Sequence, residues 1–134
     1  MNEVKSIAID LDGTILEMDW DMWVKHRMNY FGKPKPGAIR ALTFLRNLGY
    51  KIIIHTCRIN TRINPQYTLG ELWLIVEEKL TEYGIPYDEV WIETGKPIAD
   101  YYIDDRALYF SDWDQAMKSL SLLESFTKEK SDER

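Results

Sequence analysis

The sequence predicts an α/β protein with a doubly wound, mainly parallel sheet and helices on both faces. Two observations carry this prediction. Short apolar runs alternate with amphipathic helical segments along the chain, and the run at 51–56 is the continuous apolar kind that suits a strand covered on both faces. Turn residues separate the successive segments. This is the arrangement of a Rossmann-like domain, in which strand-to-helix loops open at one edge of the sheet and ligands bind there.

The first predicted strand leads into the segment Asp10-Leu11-Asp12-Gly13-Thr14. Residues 4–9 supply its apolar run, and Gly13 interrupts that run. The next segment, 15–31, mixes aromatic and charged residues at no consistent period, so a short hairpin and a helical turn both fit it. A cluster of glycine, lysine and proline at 32–37 predicts a turn before the next element.

The middle of the chain predicts alternating helices and strands. Apolar residues of 38–48 recur along one helical stripe that ends at a glycine. Residues 51–56 form the second strand. Asn64-Pro65 favours the start of another helix, which continues over 69–83 to the next glycine.

The last third of the chain predicts two further strands and one helix. Residues 89–92 form the third strand and 101–103 the fourth, which runs directly into Asp104-Asp105. Asp112 and Gln115 have the spacing of a capping box for a last helix that reaches about residue 126. We expect one domain over 1–126, followed by a charged and frayed tail at 127–134.

Composition restricts the class of function. The 134 residues carry a formal net charge of -5, which disfavours a duplex nucleic-acid binder with a broad basic face but permits a small phosphorylated substrate. Cys57 is the only cysteine, so the chain forms no intramolecular disulfide. No apolar run resembles a signal peptide or a membrane span, so we expect a cytoplasmic protein without membrane contact. The composition is compatible with a homo-oligomer.

Four carboxylates follow two of the predicted strands. Asp10 and Asp12 follow the first strand, and Asp104 and Asp105 follow the fourth. Like charges about 4 Å apart repel by roughly 4 kcal/mol at an effective dielectric of 20, so such a cluster holds a cation or keeps a proton. An all-oxygen set without a neighbouring group of histidines and cysteines favours Mg²⁺, which also binds substrate phosphates.

Loops at the same edge supply groups that suit a phosphate. The Thr56 hydroxyl and the Lys96 ammonium are donors of the kind that a phosphoryl oxygen requires. Cys57 and Arg58 follow Thr56 directly and are further phosphate-binding candidates, although no paired base is visible to make Cys57 a nucleophile. A carboxylate beside the phosphorus can form an aspartyl phosphate, and a second carboxylate can protonate the leaving oxygen.

Taken in chain order, these residues resemble the four motifs of the haloacid dehalogenase-like phosphatases, over roughly residues 4 to 115. The motifs are Asp10-Leu11-Asp12-Gly13-Thr14, Thr56 after an apolar strand, Lys96 in Gly-Lys-Pro, and Asp104-Asp105 after an apolar strand. The resemblance implies a Mg²⁺-dependent phosphomonoesterase. It implies that Asp10 is the nucleophile, and that Asp12 is the general acid and then base, with its backbone carbonyl on the metal.

The resemblance also implies the remaining roles. Thr56 and Lys96 would hold the phosphoryl group, and Asp105 would complete the metal site with Asp104 beside it. The intervals between the motifs each hold only one helix and one strand, so this is similar to a capless member. Through Gly95-Lys96-Pro97, Asp100 and the segment 102–106, the chain also resembles the small phosphatases associated with phage and surface-polysaccharide gene sets. The segment 15–31 would then act as a flap that selects the substrate.

Four residues near the motifs are candidate substrate contacts, namely Thr14, Trp20, Trp23 and Arg106. Each site residue also has a structural explanation: aspartates cap turns and helices, threonines end strands, and lysines populate surfaces. Arg58 and Arg106 fit either substrate contact or pairing with a carboxylate. Asp100 fits either an anchor for Lys96 or a cap for the last strand, and the aromatic residues of the flap fit either substrate stacking or core packing.

Three other functions compete with the phosphatase. A signalling receiver domain also has an acidic Mg²⁺ pocket, but its lysine comes last, whereas here Lys96 precedes the final aspartate pair. A binding protein on an inactive phosphatase scaffold is a second alternative, although every expected catalytic position is filled. A polynucleotide-end phosphatase fits the Asp-Asp-Arg at 104–106, and the acidic composition weighs against it.

Overall fold

A computed structural model describes residues 4–130 and contains a four-stranded parallel sheet in the order β3-β2-β1-β4. The strands are β1 (Ser6–Asp10), β2 (Lys51–His55), β3 (Glu89–Val90) and β4 (Tyr101–Ile103). The helices are α1 (Trp20–His26), α2 (Ala38–Asn47), α3 (Leu69–Tyr83), α4 (Trp113–Ser119) and α5 (Leu123–Lys130). Over residues 4–130, no helix has both the length and the apolar content that crossing a bilayer requires.

The strand order confirms the predicted α/β class and the Rossmann-like, doubly wound sheet. The chain steps from β1 to β2 and then to β3 in one direction, and it returns to the other side of β1 to form β4. The topological switch point therefore lies between β1 and β4. Because open α/β sheets bind ligands outside the carboxyl ends of their strands at this point, the fold places Asp10 and Asp104 at its natural binding crevice.

One face of the sheet carries the main core. Alternate residues of β1 and β2 point to this face, where a single cluster of buried side chains joins them to α2 and α3. In α3 the buried residues recur every fourth position, as Leu72, Val76 and Leu80. Complete burial of each such side chain stabilises the fold by about 1.5–3 kcal/mol. This packing fixes β1 and β2, whose carboxyl ends carry site residues.

Two predicted helix boundaries were wrong. The helix α3 begins at Leu69 rather than at Asn64-Pro65, because Thr68 and Glu71 form a reciprocal capping box there. Asn64 is instead buried, and its side-chain amide donates to the Arg58 carbonyl at 3.0 Å. The predicted single helix after Asp112 is two helices, because Ser121 adopts a φ of 62° between them.

Three other segments differ in extent from the prediction. The strand β3 ends at Val90 rather than at residue 92. The flap 15–31, for which two conformations were open, contains the helix α1 and a 3₁₀ turn at Arg27–Asn29. The helix α5 continues to Lys130, so the boundary that we expected at residue 126 falls inside a helix. The final part of the predicted tail, 131–134, lies outside the described residues.

Candidate active site

A cleft of about 800 Å³ opens at the carboxyl ends of the strands. Its lining includes residues at or after the carboxyl ends of all four strands, among them Asp10, Thr56, Thr94 and Asp104. The flap contributes Trp20 and its neighbours to the same lining. The parallel sheet therefore brings together groups that lie up to about ninety residues apart in the chain.

An acidic cluster lies in this cleft. One carboxylate oxygen from each of Asp10, Asp104 and Asp105 lies within 4.8 Å of the others. Burial, the charge of Asp104 and a hydrogen bond with Asp105 together raise the pKa of Asp10 to about 7. Such a cluster is stabilised by a cation or by a proton. Its all-oxygen donor set fits Mg²⁺ better than Zn²⁺, which is usually held by nitrogen and sulfur ligands.

Thr14 and Gly13 hold two sides of this cluster together. The Thr14 hydroxyl lies 3.4 Å from carboxylate oxygens of both Asp10 and Asp105, and it accepts the backbone N–H of Asp105 at 3.1 Å. Gly13 has a φ of 87°, and a Cβ atom there would overlap the Asp105 carboxylate. The turn after β1 therefore needs a glycine for its backbone conformation and for the space beside Asp105.

Asp12 is not among the three clustered carboxylates, and its own carboxylate binds an arginine. Arg58 donates from Nε to Asp12 Oδ2 at 2.7 Å and from Nη2 to Asp12 Oδ1 at 2.9 Å. Arg58 is fully buried and Asp12 is 9% exposed. The carbon at the centre of the guanidinium lies 3.8 Å from the ring centre of Phe31 and 4.7 Å from that of Trp23. The flap thus encloses the arginine that orients Asp12.

This pairing decides what Arg58 does in the structure. Of the two roles open for Arg58, the structure shows the ion pair with a carboxylate. Both of its carboxylate contacts go to Asp12, so the guanidinium is committed within the protein. The backbone carbonyl of Asp12, rather than its carboxylate, stays the predicted metal ligand.

The other predicted phosphate-binding residues differ in their placement. Thr56 is buried and lines the cleft, and its hydroxyl accepts the backbone N–H of Arg58 at 3.2 Å. Cys57 lines the cleft, where desolvation and the charges of Asp12 and Asp10 raise the pKa of its thiol. Lys96 is not among the residues that line the cleft. Its ammonium lies 3.9 Å from the ring centre of Tyr102.

The candidate substrate contacts divide into a buried and an exposed group. Trp23 is buried and packs against Arg58. Of the two roles open for the flap aromatics, Trp23 therefore shows core packing rather than substrate stacking. Trp20 is 48% exposed and lines the cleft. Arg106 also lines the cleft, and the centre of its guanidinium lies 4.4 Å from the ring centre of Trp20.

Asp100 caps the sheet rather than holding Lys96. Its carboxylate accepts the backbone N–H of Ser6 at 2.8 Å, which ties the start of β4 to the start of β1. The same strand pair carries Asp10 and Asp104 at its other end. Asp100 therefore fixes the register of the two strands that form the acidic cluster.

Sequence reasoning missed three parts of the site. Phe31 and Met28 complete the surroundings of the Arg58 guanidinium, and no local pattern shows this because their partner lies about thirty residues away. Trp91 lines the cleft, and its indole N–H donates to the Gly95 carbonyl at 3.0 Å. Its position directly after β3 was a usable signal, because every strand end points to the same edge. Arg62 lines the cleft as well.

Two solved structures are similar to this chain over most of its length. One is a conserved protein from Bacteroides thetaiotaomicron, with 26% identity and a TM-score of 0.55, and the match covers 89% of this chain and 93% of that one. The other is a target protein from Vibrio cholerae, with 26% identity and a TM-score of 0.51, and the match covers 92% of this chain and 99% of that one. No protein-family model and no curated protein matches. These likenesses support the α/β fold.

Proposed function

We propose that this protein is a Mg²⁺-dependent phosphatase that hydrolyses a phosphomonoester through an aspartyl phosphate on Asp10. One observation carries the proposal. Three carboxylates converge at the switch point of the sheet, while the nearby Asp12 is held separately by a buried arginine. The first group suits a hard cation and a nucleophile, and the second suits a proton carrier that an arginine orients.

Asp10 is the nucleophile in this proposal. Its position at the end of β1 gives it the rigid support of a central strand. A bound Mg²⁺ would neutralise the carboxylates and the phosphoryl oxygens, which removes the repulsion between two anions. In the first step a carboxylate oxygen of Asp10 forms a bond to phosphorus, and the bond from phosphorus to the ester oxygen breaks.

Asp12 carries the proton in both steps. Asp12 first takes up a proton from solvent and gives it to the leaving oxygen in the first step, and it takes one from the attacking water in the second step, which releases phosphate and regenerates Asp10. Arg58 holds both oxygens of Asp12 here, so one of these contacts has to open for Asp12 to reach the leaving oxygen. Thr56 lines the same cleft as the two aspartates and would supply a hydroxyl for a phosphoryl oxygen.

Phosphate release from p-nitrophenyl phosphate tests the proposal. We expect turnover with Mg²⁺, none after chelation, and recovery when Mg²⁺ is returned. Asp10→Asn should abolish turnover and keep the circular dichroism spectrum of the wild type. Asp21→Asn is the matched control, since Asp21 is an exposed aspartate on α1 that does not line the cleft. Turnover by Asp10→Asn at the wild-type rate would refute the mechanism.

Trapping the phosphorylated residue gives a second test. Beryllofluoride with Mg²⁺ mimics a phosphoryl group on a carboxylate, so crystals soaked with both should show density joined to Asp10. Density joined to Asp12 or Asp104 instead would move the nucleophile and overturn the assignment.

A further inference from the structure

Two cleft arginines have no carboxylate partner within residues 4–128, the part of the chain whose side chains the structure describes. Arg62 and Arg106 both line the cleft, and neither forms an ion pair there. Of the two cations expected to hold the phosphoryl group, Arg58 binds Asp12, and Lys96 lies over the ring of Tyr102. The cleft thus offers positive charge that the acidic cluster does not neutralise.

Arg106 is the better positioned of the two. Its backbone N–H donates to the Asp104 carboxylate at 2.7 Å, and its guanidinium lies over the ring of Trp20. Trp20 is itself fixed, because it begins α1 directly after the N-cap residue Asp19, whose backbone N–H donates to the Tyr30 hydroxyl at 2.9 Å. A guanidinium that stacks on an aromatic face keeps its N–H edge free for in-plane, bidentate contact with a carboxylate or phosphate.

The cleft is larger than a phosphoryl group requires. Its volume of about 800 Å³ falls in the range that binds whole small molecules, about 300–1,000 Å³. Trp20 and Trp91 both belong to its lining, and the hydrogen bond from Trp91 to Gly95 holds the second ring in place. The space beyond the acidic cluster therefore accommodates the leaving group of the ester, with the Trp20–Arg106 pair beside it.

We propose that the Trp20–Arg106 pair binds a second anionic group, a carboxylate or a phosphate, on the leaving group of a small phosphomonoester. This inference rests on the proposed phosphatase function. The protein has a net charge of -5 and three carboxylates in the cleft, so a substrate with two anionic groups needs a local cation to approach it. Arg106 supplies that cation, and Trp20 keeps it stacked and oriented.

Matched pairs of esters test the proposal. One pair is phenyl phosphate and 3-carboxyphenyl phosphate, and the other is propyl phosphate and propane-1,3-diol bisphosphate. In each pair, only the second ester carries a further anionic group besides the phosphate that is hydrolysed, and we call it the doubly anionic ester. For each pair we compare its kcat/KM with that of the ester that lacks this group. Wild type should prefer the doubly anionic ester of at least one pair, and the preferred pair distinguishes a carboxylate from a phosphate. Arg106→Gln should reduce that preference about 10- to 100-fold, because a hydrogen-bonded ion pair is lost.

Two further variants separate recognition from structure. Arg106→Lys keeps the charge but loses the planar fork, and it should retain only part of the preference. Trp20→Leu should reduce the preference by about 3- to 10-fold, because the guanidinium loses its stacking partner. Arg40→Gln is the matched control, since Arg40 is an exposed arginine on α2 outside the cleft, and it should leave the preference unchanged.

Two outcomes would overturn the inference while leaving the phosphatase function intact. A wild type that hydrolyses both members of each pair equally well would do so. An Arg106→Gln variant that loses the same factor on all four esters would show that Arg106 holds the transferred phosphoryl group instead.

If wild type hydrolyses none of the esters, the phosphatase function fails and binding decides the inference. Calorimetry then compares phenyl phosphate with 3-carboxyphenyl phosphate, and propyl phosphate with the bisphosphate, on Asp10→Asn protein with Mg²⁺. Tighter binding of a doubly anionic ester that is lost in Asp10→Asn/Arg106→Gln supports the anion site. Equal affinities, or no binding, overturn it.

Discussion

Two aspartates, separated by one residue in the chain, lie in opposite electrostatic surroundings. Asp10 lies among other carboxylates, which together with burial raise its pKa to about 7. Asp12 has both oxygens bound by a buried guanidinium. The sequence shows the same residue type twice in one motif. Their difference comes from partners elsewhere in the chain, so the surroundings of the two aspartates are set by topology rather than by local sequence.

The strand order explains this difference. β1 lies between β2 and β4, so its carboxyl end has a different neighbour on each side. The loop after β4 brings Asp104 and Asp105 to Asp10, and the loop after β2 brings Arg58 to Asp12. One side of the motif is therefore an acidic cluster, and the other is a buried ion pair. Each variant below changes either the acidic cluster around Asp10 or the Arg58–Asp12 ion pair, and the unchanged one of the two serves as the internal comparison.

The largest effect is expected from Arg58→Met, which leaves the Asp12 carboxylate buried without its partner. Breaking a buried ion pair by removing one member costs about 3–5 kcal/mol. The free energy of unfolding from urea titration measures the loss. The double variant Arg58→Met/Asp12→Asn should recover most of it, because no unpaired charge is then left. Equal losses in the single and double variants would show that packing against Phe31, rather than charge, dominates this side.

The second effect is on the acidic side, where Gly13→Ala combines two costs. The φ of 87° strains any residue with a Cβ atom by roughly 1–2 kcal/mol, and the new methyl group also overlaps the Asp105 carboxylate. Gly37→Ala is the matched control, with a φ of 83° and open space around the new Cβ atom. Thermal unfolding should show a larger loss for Gly13→Ala. Calorimetry should show Mg²⁺ affinity lowered at least about tenfold in this variant alone.

The third effect is the pH dependence of folding stability in the metal-free protein. Because the pKa of Asp10 is raised in the folded state, the folded protein binds more protons than the unfolded chain between about pH 4 and pH 7. Stability contributed by this proton is present at low pH and is lost as pH rises through about 7. Since Asp10 is half-buried, solvent screening limits the effect to about 1–2 kcal/mol.

Asp10→Asn tests this pH dependence directly. In the presence of a chelator, the variant should have a higher melting temperature than wild type at pH 8 and a smaller difference at pH 5. Asp21→Asn should follow the wild-type curve at both pH values. If the difference in melting temperature between wild type and Asp10→Asn is the same at pH 5 and pH 8, the raised pKa of Asp10 is contradicted.

The sequence predicted those parts of the molecule that depend on local pattern. The apolar runs located the strands, and the shared edge of a parallel sheet brought Asp10 and Asp104 together, as the structure confirms. What it could not predict depends on pairs distant in the chain. Arg58 was equally consistent with substrate contact, because only the folded flap shows Phe31 beside its guanidinium. The start of α3, in contrast, was misplaced although a local signal was present, because Thr68 and Glu71 have the spacing of the capping box that the structure shows.

The smallest effect is expected from Thr14→Val, which removes one hydroxyl between the two halves of the acidic cluster. The change leaves the backbone N–H of Asp105 without its acceptor at 3.1 Å, at a cost of about 1 kcal/mol. Thr14→Ser keeps the hydroxyl and should stay close to wild type. Because Asp105 is then less well oriented, Thr14→Val should also weaken Mg²⁺ binding several-fold, while the Arg58–Asp12 pair stays intact. An unchanged Mg²⁺ affinity, measured by calorimetry, would mean that β1 and β4 alone position the carboxylates.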